Sequence, residues 1–461
     1  MGAALLSDRK LLAKWIAIIF VPIAIWLIPT NETFTADVRM FFVVTLFGIL
    51  TFVLAPFDAA IGSLLMMAFY VISGVADLGT IFSPFTQNVP WMVFGCLLLM
   101  NIIQSQTKLI DRITCLCLII TGGTYNGIIY GMIILGIVIN IVVPGVFTCM
   151  AIWVLAYGIC QELNLGKTKA SSGIMLAAVV GFVDAWWFIY CPADFGVMVG
   201  IVNQVVPVTM DYFTFFINEL PAVVFPFIMG FVITKICKPE VEINGKAYFQ
   251  ERRKKLGKLT GNEKRVIVVL VLLVAYLFTF QWHGQDMLWG FLFAPLLMYL
   301  PGMPGTKKDL QTVDFPTILF VVGCMSIGSA AMAVGVPQLI SEMALPLLEG
   351  RSNTFFILFV YVFVVIFNFV MTPMALMSSF SAPLCQIATD LGMSPLPMLF
   401  AFSRGCYNIL LPYEAVIIAV AVAYGNVRYD SFMKVFGAKI VLTGIFLVCV
   451  MCPYWHFRGL M

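Results

Sequence analysis

The sequence predicts an all-α polytopic membrane protein, and three observations carry this fold class. Hydrophobic residues make up 62% of the 461-residue chain and charged residues only 11%, whereas soluble domains carry about 25% charged residues. The mean hydropathy is +1.02. Apolar runs of roughly 20 residues, the length that crosses a bilayer as a helix, recur along the whole chain. A soluble globular fold is therefore excluded.

The apolar segments can be placed in order. The first follows the basic residues Arg9 and Lys14, and no small-residue cleavage site follows it, so we interpret it as an uncleaved span. The run from 114 to 160 is too long for one span. The predicted segments are 13–29, 38–56, 59–76, 88–106, 114–160, 171–207, 212–236, 266–281, 286–301, 314–346, 354–390, 396–425 and 431–455.

Positive charge predicts the orientation. The polar segment 235–265 holds ten Lys and Arg residues against four Glu residues, so we place it in the cytoplasm together with the basic N-terminus. An even number of crossings must then separate the two. The count becomes even if 114–160, flanked by Lys108 and Lys167, enters and leaves on one side as a re-entrant hairpin. This gives eleven crossings in total, with the C-terminus outside the cell membrane.

The second half of the chain repeats the first. Matching positions keep a nearly constant spacing in the first part of the repeat and a slightly shorter one in the later part. An odd number of crossings separates the copies, which predicts an inverted-topology repeat and makes 354–390 a second re-entrant hairpin. The matched positions are Gly62 and Gly290, Gly95 and Gly323, Asn140 and Asn368, Pro144 and Pro373, Pro192 and Pro412, and Asp211 and Asp430.

Two prolines interrupt long apolar segments, one in each repeat. Pro192 and Pro412 each lie in the middle of such a segment, and an acid, Asp194 or Glu414, follows two residues later. A proline inside a helix frees backbone carbonyls, and an acid at membrane depth costs about 2.5–3.5 kcal/mol. Two broken helices at matching positions are typical of a transporter whose site lies at the membrane midplane.

The prolines also predict where half-helices begin. Helix N-termini carry unpaired N–H groups and partial positive charge, so four such ends could hold a small anion without an arginine. The alternative is that each proline is an ordinary kink, and that serines near the second hairpin ease helix packing. The predicted substrate-binding residues lie at the tips and breaks: Asn140, Pro144, Gly145, Thr148, Cys191, Pro192, Asn368, Thr372, Pro373, Ser378, Ser379, Pro412 and Tyr413.

A cation or proton site is expected beside the anion site. Asp194 and Glu414 are candidate ligands or proton carriers, and Asn140 and Asn368 could add carbonyl oxygens. The alternative is that each acid stabilises the first turn of its own helix, and that each asparagine is a buried, helix-bonded residue.

Asp184 and Arg404 are repeat equivalents of opposite sign, each eight residues before its proline. Eight helical residues rise about 12 Å, so the inversion would place the two roughly 24 Å apart along the membrane normal. They are therefore not expected to pair. Arg404 is expected either to attract anions at an outer vestibule or to extend its charged end to the membrane interface.

The sequence gives little support for metal binding or for enzymatic activity. The chain has twelve cysteines, mostly single within apolar runs, and only two histidines, so we expect packed cysteines and no transition-metal site. Phosphate-binding and metalloprotease motifs do not occur. We therefore expect no enzymatic activity, no cofactor beyond a possible sodium ion and no nucleic-acid partner.

The arrangement resembles the divalent anion:sodium symporter family over nearly the whole chain. The strongest local matches are Leu411-Pro412-Tyr413-Glu414 and the segment from Tyr424 to Lys434. Family members carry Ser-Asn-Thr at both hairpin tips, whereas here the tips keep only the asparagines, Asn140 and Asn368. The resemblance implies a secondary active transporter of a small multivalent anion, a di- or tricarboxylate, coupled to a cation with sodium favoured.

The resemblance also implies an elevator-type homodimer in which one domain slides against another. Scaffold would comprise 1–110 and 266–350, transport domain 111–237 and 351–461, and a cytoplasmic loop 238–265. A proton-coupled symporter or an anion exchanger of the same fold is the first alternative, with Glu414 as the proton site. A non-transporting membrane receptor is the alternative from another class.

Overall fold

The computed structural model consists of helices joined by short loops. It describes the chain except for residues 1–8, 32–33, 55, 143–147, 240–245, 349, 370, 412–413, 416–417, 419–420 and 423, and the described part contains no strand. The predicted all-α class is confirmed. Helices satisfy their backbone hydrogen bonds internally, which is what an apolar environment demands of this sequence.

The N-terminal quarter forms a series of α-helices. Aspartates start two of them, because the Asp58 carboxylate accepts a hydrogen bond from the Ala60 N–H and the Asp77 carboxylate accepts one from Gly79 N–H. The helices are α1 (Arg9–Trp26), α2 (Ala36–Leu54), α3 (Ala59–Ile72), α4 (Leu78–Phe82), α5 (Asn88–Gln106) and α6 (Leu109–Ile120).

The next helices contain the first predicted hairpin and the first break. Thr168 and Ser171 form a reciprocal capping box at the start of α9. Every residue of α9 from Ala170 to Val183 is buried, so this helix lies at the centre of the molecule. The helices are α7 (Tyr125–Val142), α8 (Thr148–Glu162), α9 (Lys169–Val183), α10 (Phe195–Val202), α11 (Tyr212–Asn218) and α12 (Phe225–Ile236).

A polar connection and the start of the second repeat follow. Thr260 and Glu263 cap α14 reciprocally, and Asp286 caps α16 by accepting from the Leu288 N–H. The helices are α13 (Lys246–Leu256), α14 (Gly261–Phe278), α15 (Phe280–His283), α16 (Met287–Leu297), α17 (Lys307–Gln311), α18 (Phe315–Ala333) and α19 (Val336–Leu348).

The last quarter contains the second predicted hairpin and the second break. Ser352 caps α20 through a hydrogen bond from the Phe355 N–H, and Ser394 caps α22, in which Pro395 takes the first helical position. The helices are α20 (Asn353–Phe367), α21 (Pro373–Asp390), α22 (Pro395–Cys406), α23 (Tyr429–Phe446) and α24 (Cys452–Phe457), and a π-helical turn, Leu447–Met451, joins the last two.

The repeat found in the sequence recurs in the packing, with partners exchanged. A Cβ on Gly95 of α5 would lie 2.2 Å from the Phe291 carbonyl of α16, and a Cβ on Gly323 of α18 would lie 2.3 Å from the Ser63 Cβ of α3. Ser63 and Phe291 have the same separation along the chain as Gly95 and Gly323. Each repeat therefore supplies the glycine for one crossing and the surface for the other, as a two-fold relation between the copies requires.

Three apolar segments that the sequence predicts to be continuous are divided in the structure. Gly122 and Gly123 have φ values of 87° and 71° and follow the end of α6, so the segment 114–160 is divided and its next helix begins at Tyr125. Gly335, with φ 75°, likewise separates α18 from α19 within 314–346. The segment 212–236 bends by 70° between α11 and the helical run Leu220–Ile236.

Length and composition single out a few helices as spans. Within the described residues, four are long and apolar enough to cross a membrane, and a fifth candidate is the bent pair Tyr212–Asn218 with Leu220–Ile236. Shorter apolar helices include Ala59–Ile72, Met287–Leu297 and Asn353–Phe367. The number of eleven crossings therefore stays a prediction. The four are Asn88–Gln106, Lys169–Trp187, Phe315–Ala333 and Tyr429–Phe457.

Candidate functional site

The first break lies where Pro192 predicted it, but its helix starts later than expected. The helix α9 tightens into a 3-10 turn, Asp184–Trp187, and regular helix resumes only at Phe195. The expectation that a half-helix begins at Pro192 is therefore wrong by three residues. The intervening loop turns at Cys191, whose carbonyl accepts hydrogen bonds from the Asp194 and Gly196 N–H groups at 3.2 and 3.1 Å. Cys191 and Pro192 are both buried.

Asp194 connects the two breaks. It occupies the N-cap position of α10, but its side chain makes no capping hydrogen bond to that helix. Its carboxylate instead accepts hydrogen bonds from the Tyr407 hydroxyl at 2.7 Å and the Ser403 hydroxyl at 3.3 Å. Both donors belong to the second repeat. The fully buried acid therefore joins the first break to the end of α22.

Asn140 joins the first hairpin to the same network. Its amide nitrogen donates to the Gly136 and Phe182 carbonyls, each at 3.0 Å, and its oxygen accepts from the Trp186 indole at 2.8 Å. The Trp186 ring meets the Tyr407 ring edge-on, with centroids 5.0 Å apart. Because each polar atom of the Asn140 amide has a protein partner, the buried, helix-bonded alternative describes this residue.

Asn368, its repeat equivalent, is bonded differently. Its amide nitrogen donates to the Gly405 carbonyl at 2.8 Å, whereas its buried Oδ1 has no hydrogen-bond partner among the described residues. Two hydroxyls of α21, those of Ser379 and Ser381, also lack partners within the described part of the chain. The Ser378 hydroxyl donates to the Met374 carbonyl at 2.6 Å. The second hairpin segment thus holds three buried oxygens of uncharged side chains that have no hydrogen-bond partner among the described residues.

The second hairpin also begins a helix where the sequence predicted one. Thr372 takes the N-cap position of α21 and Pro373 its first helical position, although the Thr372 hydroxyl makes no capping bond. The Pro373 carbonyl lies 4.0 Å from the Cys406 sulfur, at the last residue of α22. The helix α21 packs against α22 of its own repeat and against α10 of the other. The N-terminus of α21 therefore lies beside the second break.

Glu414 belongs to the second break itself. Its carboxylate accepts hydrogen bonds from the Leu411 N–H at 2.7 Å and the Leu410 N–H at 3.2 Å. These bonds satisfy backbone donors that the interrupted helix leaves without partners, as the helix-stabilising alternative expected. Unlike Asp194, the acid does not reach across to the other repeat through any hydrogen bond between described residues.

Several predicted site residues lie outside the described structure. Pro144, Gly145, Pro412 and Tyr413 are outside the described residues. Thr148 is the first residue of α8, and only its backbone is described. The tip of the first hairpin is therefore not part of the site geometry given above.

Both expectations for Arg404 are wrong. The residue is 1% exposed and pairs with Glu219, so it reaches neither an outer vestibule nor the membrane interface. Asp184 and Arg404 do not pair with each other, as expected, because Asp184 contacts Lys439, with 2.5 Å between Oδ1 and Nζ. Neither Glu219 nor Lys439 is among the residues predicted from the sequence. Their separation along the chain equals that of Pro192 and Pro412, and this shared spacing is a signal that could have found them.

A cavity of about 780 Å³ lies next to the first break rather than between the hairpins. Its polar wall comes from α5, from the segment after α10 and from the start of α16, and none of the predicted binding residues whose side chains are described lines it. The polar lining residues are Gln87, Asn88, Asn203, Gln204, Thr209, Asp211, Thr214 and Asp286. We interpret this cavity as a vestibule because it opens beside α10 without reaching Asp194 or Asn368.

Metal-ligating side chains do not cluster in the described part of the chain. Within the described residues, no group of three or more His, Cys, Asp or Glu side chains could hold a metal ion. Eleven of the twelve cysteines are buried and Cys449 is exposed. The site is thus built from amides, hydroxyls, isolated carboxylates and helix ends, which suit an alkali cation and an anion rather than a transition metal.

Comparison with known proteins finds a transporter family and a transporter of similar fold. Residues 9–461 match the family model described as the sodium:sulfate symporter transmembrane region. No curated protein matches the chain. Among solved structures, the chain is similar to the YdaH transporter of Alcanivorax borkumensis, whose crystal structure is described as having an unusual topology. The TM-score is 0.53 at 11% sequence identity, over 98% of this chain and 99% of that one. This likeness concerns the fold alone.

Proposed function

Because this chain belongs to the sodium:sulfate symporter family and is a membrane transporter rather than an enzyme, we propose that it carries a small multivalent anion in symport with sodium. A di- or tricarboxylate is the proposed substrate. Two carboxylates on a short carbon chain could each meet the N-terminus of a half-helix, which binds anions through its unpaired N–H groups.

The observation that carries the proposal is the meeting of helix ends from both repeats. The N-terminus of α21 lies beside the second break, and α10, which begins at the first break, packs against α21. Asp194 adds a direct bond between the breaks. An anion held here would contact both repeats, as a site at the midplane of a repeat transporter does.

The sodium site proposed here lies in the second hairpin. The free Oδ1 of Asn368 is an oxygen ligand without a partner among the described residues, and the unpartnered hydroxyls of Ser379 and Ser381, which lie on different faces of α21, are alternative further ligands. Sodium accepts neutral oxygen ligands of this kind, and half-helix ends commonly contribute to such sites in transporters. The first hairpin contributes less to this proposal, because Asn140 is fully engaged.

We further propose the family's working arrangement for this chain. It comprises eleven crossings with two re-entrant hairpins, a cytoplasmic N-terminus and an outer C-terminus in the cell membrane. The transport domain, residues 111–237 and 351–461, would slide against the scaffold, 1–110 and 266–350, in each subunit of a homodimer. Support comes from the exchanged packing of the repeats, because both close crossings join the two halves of the proposed scaffold.

Uptake into proteoliposomes tests the proposal. Radiolabelled succinate, citrate and sulfate would be offered separately under an inward sodium gradient, an inward proton gradient, or neither. The proposal expects succinate or citrate uptake that needs the sodium gradient and competition by the unlabelled anion. Saturable binding without flux under any gradient would identify a receptor, and sulfate uptake alone would overturn the carboxylate assignment.

A proton-coupled symporter is the second candidate, and Asp194 now favours it more than Glu414 does. Within the described residues, the hydrogen bonds to the Asp194 carboxylate come from neutral hydroxyls, whereas Glu414 is held by its own backbone. A buried acid without a counter-ion is a candidate proton carrier. Uptake indifferent to sodium, driven by the proton gradient and abolished in Asp194→Asn, would establish this mechanism. Electroneutral counterflow without either gradient would instead indicate an exchanger.

A further inference from the structure

Two buried ion pairs bridge the repeats, and the proposed transport site uses neither. Lys439 of α23 pairs with Asp184 at the end of α9, and both side chains are fully buried. Arg404 of α22 pairs with Glu219 at the bend after α11, and both side chains are 1% exposed. The four residues are thus two acids from the first repeat and two bases from the second.

The two pairs are related by the repeat. Asp184 and Arg404 have the same separation along the chain as Glu219 and Lys439. In the pair of Asp184 with Lys439, the repeat equivalent of Asp184 is Arg404 and that of Lys439 is Glu219. The repeat therefore relates the first pair to the second, with each charge replaced by its opposite. A two-fold axis that relates the repeats generates two equivalent contacts. If equivalent positions carry opposite charges, the acid and the base exchange places between these two contacts.

We infer that these ion pairs form a polar lock between the repeats, in which the first repeat supplies both acids and the second supplies both bases. If a repeat packed against a second copy of itself in this way, the Asp184 position would face another acid at the Glu219 position. Like charges in a dry contact are costly, so the pattern favours the first repeat packing against the second and disfavours self-pairing.

The lock extends to the second break. Lys439 Nζ also donates to the Tyr407 carbonyl at 3.1 Å, and the Tyr407 hydroxyl holds Asp194. Arg404 lies between two indole rings, with its Cζ 5.4 Å from the Trp187 centroid and 5.3 Å from that of Trp455. The Trp187 ring also lies 5.4 Å from Lys439 Nζ. Both cations therefore contact one aromatic ring of the first repeat, and all four charged residues are positioning residues for the breaks.

Burial makes the two members of each pair interdependent. Removing one partner leaves an uncompensated charge in a dry site, which is strongly destabilising, whereas removing both partners together is much less harmful. Charge reversal should therefore be rescued by reversing the partner in the other repeat. A second reversal in the same repeat should not rescue it.

The experiment uses the full-length protein in detergent and in proteoliposomes. Single variants Glu219→Arg and Arg404→Glu are compared with the double variant that carries both, and Asp184→Lys and Lys439→Asp are treated likewise. We expect each single reversal to lower folded yield and Tm sharply, and each cross-repeat double to regain more than half of the loss. Folded yield replaces Tm where a single variant cannot be purified.

Two controls make the result specific. The same-repeat double Asp184→Lys with Glu219→Arg reverses as many charges and should remain as poor as the worse single variant. The exposed pair Lys255 and Glu251, with side chains 76% and 66% exposed, should show no coupling when reversed. The neutral double Glu219→Gln with Arg404→Met should be more stable than Arg404→Met alone. This comparison tests the pairing without introducing a reversed charge.

The lock is overturned if the cross-repeat doubles lose as much as the sum of their single variants, or if single reversals leave folded yield and Tm unchanged. Transport is measured on every variant that folds. Rescue of Tm together with sodium-driven flux supports a lock that stays closed through the cycle. Rescue of Tm without any flux, when wild-type protein transports, shows that transport depends on which repeat carries which charge, and overturns the assignment of these residues as positioning residues alone.

Discussion

At the scale of single residues, the contact between Asp194 and Tyr407 is the most direct bond between the two breaks. We expect Tyr407→Phe to destabilise the protein by about 1–3 kcal/mol, because a buried carboxyl group loses its shorter hydrogen bond. Thermal unfolding in detergent measures the change. Ser403→Ala is the matched control and should cost less, since its bond to Asp194 is 3.3 Å long. A larger loss for Ser403→Ala would contradict this ranking.

The two repeat-related asparagines allow a second prediction. We expect Asn368→Ala to raise the sodium concentration for half-maximal uptake by about tenfold, corresponding to about 1.4 kcal/mol of lost binding, because its free oxygen is a proposed ligand. Asn140→Ala should leave that concentration unchanged but lower Tm, since it removes three hydrogen bonds. Sodium titration of uptake and a melting curve on both variants give the comparison. The reverse assignment of the two effects would place sodium at the first hairpin.

At this scale the sequence predicts which positions matter better than it predicts their partners. The sequence predicts Asp194 and Asn140 from their places beside a proline and at a hairpin tip, and the ring contact of Trp186 with Tyr407 links the hydrogen bonds of the two residues. That Asp194 would reach Tyr407 depends on the contact between repeats, which no local pattern encodes. Lys439 was overlooked because it lies within an ordinary apolar helix, far from any proline.

At the scale of helices, close crossings test the repeat. We expect Gly95→Ala to cost about 1–3 kcal/mol, because its Cβ would lie 2.2 Å from a backbone oxygen that cannot move freely. Gly323→Ala should behave similarly at the equivalent crossing. Gly158→Ala, in a helix with no heavy atom within 4 Å of the new Cβ, should be neutral or slightly stabilising. Equal melting temperatures for all three variants would contradict the close crossing of α5 with α16.

The short helix α17 is tied to the end of α5 by an acid outside the spans. Asp309 accepts hydrogen bonds from the Ser105 hydroxyl at 2.5 Å and from the Thr306 N–H and hydroxyl, each at 2.7 Å. Burial alone would raise its pKa, but these hydrogen bonds outweigh burial and hold the pKa below the ordinary 3.8.

We therefore expect Asp309→Asn to lower stability by about 1–3 kcal/mol, since an amide cannot accept all of these bonds. Because the folded pKa is lowered, the stabilisation by the carboxylate is complete above about pH 4 and is lost only as the pH falls through the folded pKa. The difference in Tm between variant and wild type should stay constant from about pH 5 to 9. A difference that changes within that range would show that another group controls it.

Some helix boundaries can be predicted from the sequence and others cannot. The start of α21 at Pro373 was predicted, because proline favours the first helical position. The start of α10 was not, because the loop after Pro192 continues to Asp194 before regular helix resumes. The bend at Glu219 was also missed, since an apolar segment of suitable length resembles one span whether or not its axis is straight.

At the scale of the whole molecule, the cavity beside α10 tests the orientation in the membrane. Thr209 is exposed and lines this cavity, and the proposed topology places it outside the cell. In a Cys449→Ser background, which removes the exposed native thiol, we expect Thr209→Cys to react with a membrane-impermeant maleimide on intact cells. Lys258→Cys, in the cytoplasmic loop, should react only after permeabilisation. The opposite pattern would invert the topology.

The separation of acids and bases between the repeats also affects how the chain is made. Glu219 emerges from the ribosome 185 residues before its partner Arg404, and Asp184 emerges 255 residues before its partner Lys439. At about 5–20 residues per second, these delays are roughly 10–50 s. For that time the nascent first half holds two carboxylates with no lysine or arginine to neutralise them at their final positions. The first half of the chain is thus fully stabilised only after the second half has been synthesised. A chain terminated between the repeats should therefore be a ready substrate for membrane proteases.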